Sequence, residues 1–187
     1  MTHDGTAFKK EMLSLLPNLR AFAMSICGKA DRADDLVQDT IMKAWAKQDS
    51  FQPGTNMKAW LFTILRNEFY SQMRKRGREV QDSDGYFTGM LSTHPAQHGA
   101  LDMRDFSAAL EKLPADQREA IILVGGSGFA YEEAAEICGC AVGTIKSRAN
   151  RGRTQLADLL GLKDNETLDM TDGATMAVIN ARHGSPR

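Results

Sequence analysis

Residues 131–153, YEEAAEICGCAVGTIKSRANRGR, have the most informative pattern in the chain. Its pattern predicts a helix, a tight turn at Gly139 and a second helix starting near Val142. Ala135, Gly139 and Ile145 have the spacing of a helix-turn-helix motif. The small alanine lets the helices cross closely, the glycine permits a turn with positive φ, and the isoleucine packs between the two helices.

The second helix of this motif carries basic residues and no acid in its first three turns. These residues are Lys146, Arg148, Arg151 and Arg153. A helix with one apolar stripe and an otherwise basic surface has the shape and charge that suit the major groove of DNA. The alternative is a basic surface that is merely solvated, so the motif needs support from the rest of the chain.

Composition excludes several classes of protein. The hydrophobic content of 42% and the charged content of 25% are ordinary for a globular protein. No run reaches the length of a membrane span and the N-terminus lacks the apolar stretch of a signal peptide, so we expect a cytoplasmic protein without a membrane partner. Cys27, Cys138 and Cys140 are too few for a disulfide framework, and the histidines do not cluster with them, so no metal or cofactor is predicted.

Charge divides the chain into unequal parts although the total is only −1. Residues 1–78 hold 13 basic and 8 acidic residues, residues 79–103 hold no basic and 4 acidic residues, and residues 104–160 hold 7 and 8. The sequence therefore predicts a basic first domain over 6–78, a flexible linker over 79–103 rich in small and polar residues, and a second domain over 104–160, with a C-terminal tail over 161–187.

Apolar residues recur at helical spacing in both domains, and no segment has the alternation of a strand. The fold class predicted is therefore all-α, with two helical domains. The helices are predicted over 6–27 with a break or kink at Pro17, from Asp31 as N-cap to about Trp45, over about 57–76, over about 100–112 and over 115–124. Trp45 and Trp60 are predicted to lie in the core.

Two separate segments then resemble one family. DDLVQDTIMKAW (34–45) and NMKAWLFTILRNEFYSQMRKR (56–76) resemble region 2 of the extracytoplasmic-function (ECF) sigma factors. LEKLPADQREAIILV (110–124), followed by the helix-turn-helix, resembles their region 4. The stretch 125–148 is further similar to the alphaproteobacterial general stress response subgroup (EcfG-like).

The resemblance implies a protein that binds core RNA polymerase, at the clamp helices and flap of its large subunits, and directs it to promoters. The sequence has no phosphate-binding glycine loop, metal-ligand spacing or nucleophile–base pair, so we expect no enzyme activity. Family positions that contact the clamp helices match Asp35, Gln38, Asp39 and Lys43. The helix dipole is an alternative explanation for the acids Asp34 and Asp35, but not for Asp39 one turn further on.

Promoter contacts are expected in both domains. A pocket for an unstacked base and a positive surface are needed at the −10 element. The groups available for this are Asn56, Lys58, Arg66, Asn67, Tyr70, Arg74 and Lys75. The residues that match the family's −35 readers are Lys146, Ser147, Asn150 and Arg151, and Arg148 is expected to contact phosphate. Ala141 replaces the serine N-cap of many relatives, which weakens the start of that helix by about 1 kcal/mol.

Regulation is implied by the resemblance alone. Sigma factors of this kind are held inactive by an anti-sigma protein, which in this subgroup is a small soluble helical protein (NepR-like). One alternative is a sigma-like decoy that binds the anti-sigma protein and not DNA. Against it, the recognition helix is richly basic, and only about 25 residues follow the second domain. Another alternative is an ordinary helix-turn-helix regulator, which the basic, region 2-like first domain argues against.

Overall fold

The computed structural model describes residues 5–82 and 103–162, and all regular structure in these two ranges is helical. The all-α prediction is therefore confirmed. Residues 83–102 of the predicted linker (79–103) and residues 163–187 of the predicted tail (161–187) lie outside the described residues. The helices of the first range are α1 (Gly5–Ser14), α2 (Leu16–Cys27), α3 (Ala30–Ala46), a 3-10 turn (Gln48–Ser50) and α4 (Met57–Asp82). Those of the second are α5 (Met103–Lys112), α6 (Ala115–Ile121), a π turn (Ile122–Gly126), α7 (Tyr131–Cys138) and α8 (Val142–Leu160).

Local sequence explains where the first helices begin and end. Pro17 lies in the first turn of α2, where a missing N–H costs no hydrogen bond, so a new helix starts there as predicted. Gly28 ends α2 with a φ of 68°. The predicted N-cap at Asp31 is wrong: Lys29 is the N-cap of α3, with no side-chain hydrogen bond, and Asp31 lies in the first turn.

An aromatic cluster packs one side of the first domain. The ring centroids of Phe8 and Phe51 lie 5.8 Å apart, and those of Phe51 and Trp60 lie 5.2 Å apart. Trp60 is half-buried in this cluster. The prediction that Trp45 belongs to the core is wrong, because 44% of it is exposed and it only borders the cluster through Phe8.

Helix α4 is the longest in the described ranges. It begins at an N-cap, Asn56, whose Oδ1 accepts a hydrogen bond from the Ala59 N–H at 3.1 Å. Its inward face includes Leu61 and Leu65, both fully buried. The helix continues to Asp82, six residues beyond the end that the apolar pattern predicted.

The second domain is built on the close approach of α6 and α8. A Cβ added to Gly152 of α8 would lie 2.6 Å from Ile121 Cδ1 and 3.2 Å from Gln117 Cβ, so glycine permits this contact. Gly139 takes a φ of 62° at the turn between α7 and α8, and Ile145 is fully buried. The predicted helix-turn-helix is therefore present.

The two domains pack against each other. Helices α2 and α4 of the first domain contact α6, the π turn and α7 of the second. Phe62 of α4 stacks on Phe22 of α2, with ring centroids 4.8 Å apart, and it also meets Phe129 of the second domain at 5.0 Å. One hydrophobic core therefore includes residues of both domains.

Candidate nucleic-acid interface

The reading face of α8, which we define as Lys146, Ser147, Asn150 and Arg151, lies opposite the buried side of this helix. Ile145, Ala149, Gly152 and Leu156 form the buried side. Lys146, Asn150 and Arg151 are exposed, and Arg151 Nη2 donates a hydrogen bond to Ser147 Oγ at 2.6 Å. The four predicted readers therefore share one accessible surface that has donors and acceptors for base edges.

The flanking arginines of α8 are fixed within the second domain. Arg148 Nε lies 3.1 Å from Asp116 Oδ2 of α6. Arg153 Nη1 donates to the hydroxyl of Tyr131 on α7 at 3.2 Å. These contacts hold α8 against α6 and α7, and they set Arg148 beside the reading face and not on it.

Helix α8 begins without a capping side chain, as its sequence predicted. Ala141 is the N-cap and makes no side-chain hydrogen bond to the helix. Its carbonyl accepts backbone hydrogen bonds from Thr144 and Ile145 at 2.9 and 3.3 Å. The position of α8 therefore depends on its packing against α6 and α7 more than on a capping side chain.

Four of the residues predicted for the −10 element lie on one side of α4 and its N-cap, and all four contact the second domain. Lys58, Arg66 and Tyr70 are half-buried there, whereas Asn56 stays exposed at the edge of the contact. We define the covered face as Asn56, Lys58, Phe62, Arg66 and Tyr70. Asn56 Nδ2 donates to Glu133 Oε1 of α7 at 2.7 Å. Lys58 Nζ donates to the Ser127 carbonyl and lies 4.7 Å from the centre of the Phe129 ring. Burial lowers the pKa of Lys58, and the charge of Glu133 partly offsets this effect.

The centre of the covered face is an ionic cluster around Glu119 of α6, whose side chain is only 2% exposed. Arg66 Nε and Nη2 donate to the two carboxylate oxygens of Glu119 at 2.8 and 3.3 Å. The Tyr70 hydroxyl donates to Glu119 Oε2 at 3.3 Å. The Arg66 guanidinium also lies over the Tyr70 ring, 4.6 Å from its centre.

Electrostatics in this cluster favour a charged arginine and a neutral tyrosine. Burial by itself lowers the pKa of Arg66, but the charge and hydrogen bonds of Glu119 raise it above its ordinary value. Burial, followed by the negative charge of Glu119, raises the pKa of Tyr70 to about 12. Tyr70 therefore remains a hydrogen-bond donor to Glu119 at neutral pH.

The other residues predicted for the −10 element are accessible. Asn67, Arg74 and Lys75 are exposed, as is Arg76 beside them. The structure therefore divides the predicted −10 set into a covered group and an exposed basic group toward the C-terminal half of α4.

The residues predicted to bind polymerase lie on α3. Asp35 and Gln38 are exposed. Asp39 accepts a hydrogen bond from Gln72 of α4 at 3.0 Å, and Lys43 forms an ion pair with Glu68 of α4. Three of the four predicted residues, Asp35, Gln38 and Lys43, are therefore exposed, and Asp39 is half-buried at the α3–α4 border.

Glu68 of α4 contacts both Lys43 and the Gln72 side chain that bonds Asp39. Burial by itself raises the pKa of Glu68, but hydrogen bonds from Lys43 and Gln72 lower it below its ordinary value. The sequence analysis offered the helix dipole as an alternative reason for an acid at Asp34. In the structure, Asp34 forms an ion pair with Arg20 of α2, with Arg20 Nε 2.6 Å from Asp34 Oδ1.

Sequence reasoning assigned no role to Glu119 or Glu133, the two acids that contact the predicted −10 residues. Helical periodicity gives no sign that another domain packs on these positions. Glu133 Oε2 also accepts a hydrogen bond from the Ala130 N–H at 3.0 Å, which stabilises the start of α7. Of these two acids, Glu133 alone has a local feature that sequence reasoning could have used, its position three residues after the N-cap of α7.

The three cysteines are free thiols. Cys138 is buried beside the turn of the helix-turn-helix, and burial together with the charge of Glu119 raises its pKa to about 12. In the described ranges, no group of His, Cys, Asp and Glu side chains has the arrangement of a metal site. Among the described helices, none is long and apolar enough to cross a bilayer.

Comparisons with known proteins agree with this geometry. Residues 12–79 match the family Sigma-70 region 2, and residues 103–156 match the family Sigma-70, region 4. The ECF RNA polymerase sigma factor EcfG of Rhodopseudomonas palustris (strain TIE-1) is 60% identical over 154 residues, which cover 82% of this chain and 85% of that protein.

Solved structures show the same fold. The sigma factor RpoE of Bartonella quintana, solved in complex with the anti-sigma factor NepR, is 68% identical, covers 84% of this chain and 98% of its own, and gives a TM-score of 0.75. CnrH, solved with the cytosolic domain of CnrY, is 26% identical, covers 87% of this chain and 92% of its own, and gives a TM-score of 0.60.

A two-domain helical chain with regions 2 and 4 in this order defines a sigma factor of the sigma-70 class. More particularly, the chain belongs to the ECF RNA polymerase sigma factors, in the EcfG-like group.

Proposed function

We propose that this chain binds bacterial core RNA polymerase in the cytoplasm, as a specificity factor without enzyme activity, and directs it to promoters of stress response genes. In this proposal, region 2 binds the polymerase clamp helices and the −10 element. Region 4 binds the polymerase flap and the −35 element. The main support for the proposal is the exposed reading face of α8. It occurs in the same chain as a helical bundle that matches Sigma-70 region 2.

The reading face supports duplex recognition through its chemistry. Lys146 and Arg151 are exposed cations that can donate to guanine, and Asn150 can pair with adenine. The buried side of α8 is seated on α6, so the helix presents these groups on a rigid surface. Arg148 flanks the face and supplies positive charge near the phosphate backbone.

The first domain supports polymerase binding through α3. Asp35 and Gln38 are exposed on it, and Asp39 and Lys43 complete a polar surface that α4 supports from one side. Neither Asp39 nor Lys43 is needed to fill the core, so both can be exchanged without removing apolar packing. This separation makes their role testable by substitution.

We further propose that a small helical anti-sigma protein of the NepR kind restrains this chain. The support is the 68% identity to the Bartonella quintana sigma factor that was solved with NepR. At that identity, a partner's binding surface is expected to be largely preserved.

The test is transcription in vitro with purified chain, bacterial core polymerase and a pool of promoter fragments. We expect new transcripts that require the chain, with a shared pair of elements upstream of their start sites. Addition of a NepR-type protein is expected to suppress these transcripts.

The result can also contradict the proposal. A chain that binds core polymerase or the anti-sigma protein but yields no transcripts would be a decoy. A chain that binds duplex DNA tightly without any polymerase contact would be an ordinary helix-turn-helix regulator.

A further inference from the structure

Tyr131, the first residue of α7, lies beside three residues that share one side of α8. Lys146, Asn150 and Arg153 follow one another at steps of four and three residues, so their side chains fall on the same side of the helix. Lys146 and Asn150 belong to the reading face and are exposed, whereas Arg153 is half-buried. Tyr131 therefore borders the reading face from the other helix of the motif.

The ring of Tyr131 contacts one reader directly. Lys146 Nζ lies 5.5 Å from the centre of the Tyr131 ring, which is within the range of a cation–π contact. Such a contact restrains the ammonium group without neutralising it, because the ring carries no net charge. Lys146 therefore keeps its positive charge for DNA while the freedom of its long side chain is reduced.

The hydroxyl of Tyr131 acts on a second reader through Arg153. Arg153 Nη1 lies 3.2 Å from the Tyr131 hydroxyl oxygen and 3.4 Å from Asn150 Oδ1, and it donates to both. A guanidinium is a planar fork of donors, so a partner at one point restricts the direction of the others. Because Asn150 Oδ1 accepts from this fork, the amide that can pair with adenine is held in one orientation.

The partners of Arg153 differ from those of Arg148, the other arginine beside the reading face. Arg148 pairs with the Asp116 carboxylate at 3.1 Å. Both partners of Arg153 are neutral, and no carboxylate of the described residues lies within ion-pair distance of it. Arg153 is therefore held by directional hydrogen bonds, and its full charge strengthens the bond to the Asn150 amide.

We propose that Tyr131 and Arg153 are positioning residues for recognition of the −35 element. Tyr131 orients Lys146 through its ring, and Tyr131 and Arg153 together orient Asn150. The inference rests on the proposed function, because it takes Lys146 and Asn150 to read bases. Readers that are already oriented lose less side-chain freedom when they meet the matching base, so they discriminate more strongly against the wrong one.

The two contacts of Tyr131 can be separated by substitution. Tyr131→Phe removes the hydroxyl and keeps the ring, so it affects the orientation of Asn150 alone. Tyr131→Leu removes the ring as well and affects both readers. Arg153→Lys keeps the positive charge and removes the planar fork, so it affects Asn150 and not Lys146.

The test measures base preference in a pool of duplex promoter fragments whose −35 element is randomised. Holoenzyme assembled from the full-length chain and core polymerase selects fragments, and sequencing of the bound fraction gives the preference at each position. Lys146→Ala and Asn150→Ala identify the positions that these two residues read. Tyr131→Phe and Arg153→Lys are each expected to lower the preference at the Asn150 position by about threefold, because a hydrogen bond that orients the amide is lost.

The position that Lys146 reads gives the second part of the result. Its base preference is expected to stay at the wild-type level in Tyr131→Phe and Arg153→Lys. In Tyr131→Leu it is expected to fall by about threefold, because the cation–π contact is lost.

The matched control is Arg148→Lys, which makes the same exchange at the arginine that Asp116 holds. It is expected to lower the affinity for all fragments and to leave the base preference unchanged. A preference at the Asn150 position that falls as much in this control as in Arg153→Lys would contradict a specific role for Arg153.

A second measurement examines the free chain without polymerase or DNA. The side-chain amide of Asn150 gives nuclear magnetic resonance signals that are assigned by their absence in Asn150→Ala. We expect these signals to shift in Tyr131→Phe and in Arg153→Lys and to stay in place in Arg148→Lys. Signals that stay in place in all three variants would show that the Asn150 amide is not held by this network.

Two outcomes of the selection experiment would overturn the inference. A wild-type preference at the Asn150 position in both Tyr131→Phe and Arg153→Lys would show that neither residue orients this reader. A uniform loss of affinity in Arg153→Lys with unchanged preference would show that Arg153 only joins the helices or binds phosphate. If circular dichroism shows that Tyr131→Leu unfolds, the results for the two milder variants decide the proposal.

Failure of the proposed function would look different. A wild-type holoenzyme that selects no −35 sequence would contradict promoter reading by α8, and the amide signals would still report whether Tyr131 and Arg153 hold Asn150. A wild type with a clear base preference that both milder variants retain would contradict only the positioning roles.

Discussion

Helices α4 and α8 have the same kind of sequence and opposite surroundings. Both carry polar and basic side chains around an apolar stripe, and both are predicted to contact DNA. The reading face of α8 is exposed, whereas the corresponding residues of α4 are bonded to the second domain. Helical periodicity reveals which side of a helix is polar, but it does not reveal whether another domain covers that side.

The difference has a physical origin in charge. The reading face of α8 is cationic and has no acid of the first domain near it among the contacts described. The covered face of α4 instead meets Glu119 and Glu133, two acids that α6 and α7 direct toward it. A buried pair of this kind gains little net stability over apolar packing, but it fixes which surfaces meet.

The largest expected effect concerns the ionisation of Tyr70 on the covered face. Its pKa is raised from 10.0 to about 12, which corresponds to a roughly hundredfold smaller ionisation constant. Because the folded protein holds this proton more tightly, the stability that Tyr70 contributes is full below about pH 10. It is lost as the pH rises from about 10 to about 12.

The measurement is a spectrophotometric titration of tyrosine absorbance, compared between the wild type and Tyr70→Phe. The difference between the two curves isolates the Tyr70 transition. A midpoint near pH 10 would mean that Tyr70 is hydrated in solution. The side of α4 that carries Tyr70 would then be as accessible as the reading face of α8.

The next effect concerns the exposed side of the comparison. Arg151→Ala is expected to reduce discrimination between −35 sequences by about 1–3 kcal/mol, because it removes a side chain from the reading face. Arg148→Ala is expected to weaken binding to all sequences equally, since Arg148 is held by Asp116 beside that face. Promoter competition assays measure both quantities.

The roles of Arg151 and Arg148 are distinguished by promoter selectivity and not by promoter affinity alone. Unchanged promoter preference in Arg151→Ala would remove that residue from the set of readers. A changed preference in Arg148→Ala would mean that the Asp116 ion pair opens on DNA and that Arg148 reads bases itself.

Polymerase binding gives an intermediate effect. Asp39→Arg is expected to weaken the affinity for core polymerase by about tenfold, or about 1.4 kcal/mol, because it reverses a charge on the polar surface of α3. Asp49→Arg makes the same change on the exposed 3-10 turn and is expected to bind normally. Equal affinity of the two variants in a fluorescence binding assay would place the polymerase contact elsewhere.

Local patterns were sufficient to predict the fold and the motif that dominates it. Gly139 and Ile145 act within a few residues of each other, so their spacing specifies the helix-turn-helix without knowledge of the rest of the protein. The acidic partners of α4 could not be predicted in this way. Glu119 and Arg66 are 53 residues apart, and no local rule relates an acid in one short helix to an arginine in another.

The errors at Asp31 and Trp45 have a related cause. The sequence allowed Asp31 to cap α3, but the chain takes its extended conformation at Lys29 and the helix begins earlier. Trp45 has the spacing of the buried stripe, yet it lies near the end of α3, where the aromatic cluster of Phe8, Phe51 and Trp60 already fills the core. Both outcomes depend on packing at the ends of helices, where periodicity is least informative.

The smallest expected effect tests the exposed, basic part of α4. Lys75 lies beyond the covered face, so it remains accessible whether or not the domains are in contact. Lys75→Ala is expected to lower promoter affinity uniformly across sequences and to reduce the slope of log affinity against log salt by about 1, because one phosphate contact is lost. Lys9→Ala, an exposed lysine of α1, is the control and should leave the slope unchanged. If the slope in Lys75→Ala equals that of the control, Lys75 contacts no phosphate, and the DNA-binding side of α4 must be sought on the face that the second domain covers.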